Sequence, residues 1–188
     1  MLFNTHSNLQ GQHSFLSASK SSWLRYEVED LERAWSRAQA AKRGDELHEL
    51  AANCIRLGQR LEDVQKTLNM YVNDAIRYRM RPEQVLYWSP NAFGTADAID
   101  FRNCILRVWD LKTGRTKADF DQLLTYVAYF CLEYNGGRLD GIEEIDLRIY
   151  QGNAIKQLTP KNTDIVPIID RLLFFDKLVT EWKMEEMS

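Results

Sequence analysis

The sequence predicts an α/β fold: a small mixed β-sheet flanked by helices, behind a helical N-terminal segment. Three observations carry this. Residues 95–101 and 104–111 are two runs of β-branched or apolar residues, divided by Arg102-Asn103. Residues 117–134 then place Phe120, Leu123, Leu124, Val127, Phe130 and Cys131 on one broad helical face. After that helix, Ile145, Leu147 and Ile149 alternate with polar residues, the pattern of another strand. A strand, a helix and a strand in this order predict a parallel, right-handed crossover.

The remaining elements follow in chain order. Residues 1–16 are polar and expected to be loose. Residues 19–80 form a helical part, with Gly44 and Gly58 as its only glycines. Trp23, Leu24, Leu31, Trp35 and Ala38 recur at helical spacing, and so do Leu47, Leu50, Ala51, Cys54, Ile55 and Leu61. Gly44 is expected to end one helix and Asp45 to cap the next. A third helix is expected over 62–79. Pro82 and Pro90-Asn91 punctuate the middle, with a short strand at 85–88 between them. Gly114 breaks the second hairpin strand, and Asn135-Gly136-Gly137 ends the amphipathic helix. A last helix covers 165–182, with Pro167 in its first turn. The expected organisation is one domain, 1–188, with a sheet core at 84–155 and a C-terminal helix at 164–183.

Composition narrows the function. No apolar run approaches the ~20 residues needed to span a bilayer, and MLFNTHSNLQGQHS lacks the charged start and apolar core of a signal peptide. The expectation is a cytoplasmic protein without a membrane partner. Cys54, Cys104 and Cys131 stand far apart with no CxxC pair, which argues against disulfides, a zinc cluster or an iron–sulfur cluster. The net charge of −3 does not advertise a nucleic-acid partner. A basic groove can be local, however, and basic residues gather at Lys42-Arg43 and at Lys112, Arg115 and Lys117.

The hairpin poses the sharpest question, because Asp97, Asp110 and Lys112 stand among apolar residues. With Arg102-Asn103 as a two-residue turn, Phe101 faces Cys104, Ile99 faces Leu106 and Asp97 faces Val108. Val108, Asp110 and Lys112 then share a face, and Asp97 joins it, diagonal to Asp110. Two converging carboxylates can share a hard cation such as Mg²⁺. Lys112 could contact a scissile phosphate or lower the pKa of an attacking water. A lone D-x-K is more often an ion pair at a strand end. Two further features shift the balance. Gln122 and Tyr126 lie at i,i+4 on the following helix, both polar-tipped in an apolar pattern. His48, one of three histidines, sits inside an earlier helix, and neutral imidazole is a competent metal ligand.

Taken together these stretches resemble the PD-(D/E)XK nuclease superfamily, in its RecB-like branch. That branch carries G-x-x-x-H on a helix, then G-x-x-D, then a strand ending in (D/E)-x-K, then Q-x-x-x-Y. This chain has G-D-E-L-H at 44–48, G-T-A-D at 94–97, D-L-K at 110–112 and Q-L-L-T-Y at 122–126. SFLSASKSSWLRY at 14–26 resembles the branch's entry segment, and the strand ending IYQ at 149–151 is similar to small phage-encoded members. The resemblance implies a restriction-endonuclease-like core and Mg²⁺- or Mn²⁺-dependent hydrolysis of phosphodiester bonds. It implies that His48, Asp97, Asp110 and the Leu111 backbone carbonyl ligate metal and that Lys112 acts on the water and the phosphate. Gln122, Tyr126, Arg115 and Lys117 would support the site or contact DNA. The implied substrate is linear duplex DNA or its ends, with a single-strand annealing protein as a possible partner and a homo-oligomer as a possible assembly. The setting would be a host-cell cytoplasm if the chain is phage-encoded. The alternatives are a non-catalytic DNA-binding or assembly module on the same fold, or a helical interaction protein that uses Trp23, Trp35 and the apolar C-terminal helix.

Overall fold

The computed structural model describes residues 4–9 and 11–186. Its contacts divide the chain into two compact units, 1–43 and 44–188. In the first unit, Ser7–Leu9 and Ala18–Arg25 form 3-10 turns, and Phe15 meets Trp35 edge to face. Residues 1–3 and 10 of the segment expected to be loose lie outside the described residues.

The second unit is built on a five-stranded mixed sheet in the order β1-β2-β3-β4-β5. The strands are β1 (Arg81–Ser89), β2 (Ala92–Arg102), β3 (Ile105–Lys112), β4 (Glu144–Gln151) and β5 (Ala154–Leu158). The helices are α1 (Val28–Leu57), α2 (Thr67–Arg77), α3 (Asp121–Asn135) and α4 (Asn162–Glu186). β3 and β4 are parallel and joined through α3, while every other neighbouring pair is antiparallel. Pairing β3 with β4 buries both faces of each strand. On one face Leu106, Val108, Ile145, Leu147 and Ile149 pack under α3 and α4. On the other, Trp109, Leu111 and Tyr150 pack under α2 and the C-terminal part of α1. Among the described residues no helix is long and apolar enough to cross a membrane.

Several expectations give way here. α1 runs unbroken through Gly44, so Asp45 caps nothing. Gly44 is there for closeness: a Cβ on it would stand 3.0 Å from Thr113 Oγ1. α2 begins at Thr67 rather than at 62, where Asn153 Oδ1 accepts the Thr67 N–H. Pro82 does not end a segment but lies inside β1, an edge strand where a missing N–H is tolerated. The hairpin turns at Asn103-Cys104, both with positive φ (52° and 59°), instead of at Arg102-Asn103. α3 starts at Asp121, later than 117, and ends on the left-handed Gly136 as expected. β5 was not expected, and it extends the sheet beyond residue 155. α4 begins early enough that Pro167 falls in its second turn, where it removes a helical hydrogen bond.

Candidate metal centre

The displaced turn changes the register. Phe101 pairs with Leu106, Ile99 with Val108, and Ala98 with Trp109, the last pair of the β2–β3 ladder. One step on, the same register sets Asp97 opposite Asp110, rather than opposite Val108 and diagonal to Asp110. Here β2 leaves β3 but stays with β1, so the sheet forks. The Asp97 side chain replaces the lost backbone pairing, its Oδ2 accepting the Leu111 N–H at 2.9 Å. The Leu111 N–H thus contacts Asp97 directly.

Two glycines let the helices close on this fork. Gly44 allows α1 to approach Thr113, one turn before His48, whose Nδ1 lies 3.3 Å from Asp97 Oδ2. Gly94 does the same on the opposite face: a Cβ there would stand 3.0 Å from Tyr126 Cε1. The Tyr126 hydroxyl accepts a bond from Gln122 Nε2 at 3.0 Å, and Gln122 Oε1 accepts one from Lys112 Nζ at 2.8 Å. Lys112 Nζ also lies 2.9 Å from Asp110 Oδ1. A continuous chain of contacts thus links Asp110, Lys112, Gln122 and Tyr126.

Asp110 is only 3% exposed, and its second oxygen, Oδ2, has no hydrogen-bond partner among the described residues. Burial raises its carboxyl above the ordinary range, against the pull of Lys112. The Asp97 carboxyl is pushed up to about 6, chiefly by burial and then by Asp110, while His48 and the Leu111 N–H oppose the shift. Tyr71, buried on the α2 side, is raised well above its usual value by burial and by the negative charge of Asp97, Glu83 and Asp110.

Glu83 is the site residue that the sequence concealed. Its neighbours in β1, Pro82 and Gln84, pair with Ala98 and Ala96, so Glu83 stands across from Asp97. His48, Glu83 and Asp97 each offer one ligand atom, and these atoms all lie within 4.8 Å of one another. The donor set fits a hard divalent cation: carboxylate oxygens, one imidazole, and a buried anionic oxygen that no group among the described residues satisfies. Arg115 and Lys117 lie apart from this cluster. With Lys112, Leu47, Leu68 and Gln151 they line an adjoining cavity of about 570 Å³. Gln151 pins the loop that carries them, donating to Gly114 O at 3.0 Å and Thr116 O at 2.7 Å.

Comparison with protein-family models, with curated proteins and with solved structures finds no match.

Proposed function

We propose that the chain is a Mg²⁺- or Mn²⁺-dependent deoxyribonuclease, an exonuclease acting at DNA ends in phage-type recombination or DNA processing, on a restriction-endonuclease-like core. The observation that carries this reading is the buried Asp110 Oδ2, unpartnered among the described residues, set beside Asp97 and two residues from an amine held in place on two sides. A structural carboxylate at 3% exposure is normally saturated with donors. One left open next to a second carboxylate and an imidazole is arranged for a cation.

His48, Asp97, Asp110 and the Leu111 carbonyl would hold the ion. When bound, it supplies Lewis-acid polarisation of the phosphate and a water of lowered pKa. The protein's own groups do the positioning. Asp110 Oδ1 and Gln122 Oε1 fix the Lys112 ammonium, and Tyr126 fixes Gln122. Lys112 is thereby presented to a phosphate oxygen, or to the water that attacks it, with little rotamer entropy left to lose. Arg115 and Lys117 offer positive charge for flanking phosphates along the adjoining cavity.

The test is digestion of end-labelled linear duplex and of closed circular DNA with Mg²⁺, Mn²⁺ or EDTA. The expected result is metal-dependent loss of the linear DNA alone, abolished in Lys112→Ala. Cutting of the circle would make it an endonuclease. Absence of cleavage with either metal would overturn the enzyme reading in favour of a DNA-binding or assembly module.

A further inference from the structure

We propose that Glu83 is a metal ligand, so that β1 adds a third carboxylate to the centre and a divalent cation of the Mn²⁺ class sits among His48, Glu83 and Asp97. This rests on the nuclease reading's premise that the centre binds metal, and it adds a residue that none of the four motifs contains.

The geometry is specific. His48 Nδ1 and Asp97 Oδ2 are 3.3 Å apart. That is close to the ~3 Å edge of an octahedron with bonds of about 2.1 Å. Glu83 brings an oxygen within 4.8 Å of both, so a modest rotamer change closes the third position. The two carboxylates suit Mn²⁺, and a neutral imidazole is a competent ligand beside them. Asp110 supplies an independent sign of a missing cation, since its buried Oδ2 lies unpartnered on the neighbouring strand. Glu83 also has a backbone φ of 51°, left-handed for a residue inside a strand. Such a conformation persists where its surroundings hold it, and it is often found at functional sites. Here it falls at the one β1 position that faces Asp97.

The test titrates Mn²⁺ into the metal-free protein and follows the paramagnetic resonance signal of free Mn²⁺. Wild type, Glu83→Gln and Asp97→Asn are compared, with melting in EDTA as the check on folding. The expected result is saturable binding by wild type, at least ten-fold weaker binding by Glu83→Gln with unchanged melting, and none by Asp97→Asn. If wild type and Glu83→Gln bind alike, the assignment of Glu83 is wrong and the nuclease reading stands. If wild type binds no Mn²⁺, both fall together. Glu83→Gly gives a second reading of the same question, because it relaxes the left-handed backbone. It should bind as weakly as Glu83→Gln while melting no lower than wild type; wild-type affinity in this variant would also overturn the assignment.

Discussion

Asp110 and Asp146 are both buried carboxylates, on adjacent parallel strands, and they are treated in opposite ways. Asp146, 4% exposed, is gripped by Arg148 through Nε at 3.1 Å and Nη2 at 3.0 Å, and Gln157 donates to it at 3.1 Å. The Arg148 guanidinium in turn lies 4.4 Å over the Trp109 ring. Asp110 has one lysine on one oxygen and, among the described residues, nothing on the other. A charge buried for stability is saturated by a bidentate partner. A buried carboxylate left open on one oxygen has room for a ligand there, which is what the proposed metal reading requires. The two ends of one sheet therefore differ as a saturated structural clamp and the proposed metal centre.

The largest effect should come from the open end. Lys112→Ala is expected to lower the cleavage rate by roughly 10²–10⁴-fold, measured on linear duplex with Mn²⁺ at a temperature where the variant is folded. Retained activity would place the chemistry elsewhere.

The clamp should fail differently. Asp146→Ala leaves the Arg148 charge buried without its partner, and should destabilise the protein by about 3–5 kcal/mol in urea titrations. Asp110→Asn, at nearly the same burial, should leave metal-free stability unchanged or raise it. Equal losses in the two variants would erase the distinction between the two ends.

The pH dependence sharpens it further. The native state holds the Asp97 proton more tightly than the unfolded chain, because the carboxyl is raised from 3.8 to about 6. Its contribution is therefore fully present below about pH 4 and lost as pH rises through about 6, a difference on the order of 3 kcal/mol. In EDTA, the gap in stability between Asp97→Asn and wild type should grow in favour of the variant across that window. A gap that stays constant from pH 4 to 8 would contradict the assigned shift.

The smallest effect concerns the support. Gly94→Ala sets a methyl 3.0 Å from Tyr126 Cε1, and should cost about 1–2 kcal/mol by displacing that ring. Activity should fall more than stability, because Tyr126 holds Gln122 and Gln122 holds Lys112.

Much of this arrangement was legible in the residues. Alternation in β2, β3 and β4 and the apolar face of α3 were visible, because burial on one or both faces imposes those periods. His48, Asp97, Asp110, Lys112, Gln122 and Tyr126 were named from the sequence, and the fold brings them into one cluster or into contact with it. The hairpin register was not legible, since a cysteine at a left-handed turn position gives no turn signal. Gly44 looked like a helix stop because closeness to Thr113 leaves no local trace. β5 did leave one, the Gly152-Asn153 turn, which the expected boundary at 155 ignored. Glu83 hid behind Pro82, and what brings it to the centre is a backbone angle and a strand pairing that only the folded chain reveals.

The most direct test is calorimetric titration of Mn²⁺ into the metal-free protein, for wild type and for the Asp97→Asn/Asp110→Asn double variant. The expected result is saturable binding by wild type and none by the double variant, with both folded. Wild-type protein that takes up no Mn²⁺, or a double variant that binds as well as wild type, would contradict the claim that these carboxylates are held open for a cation.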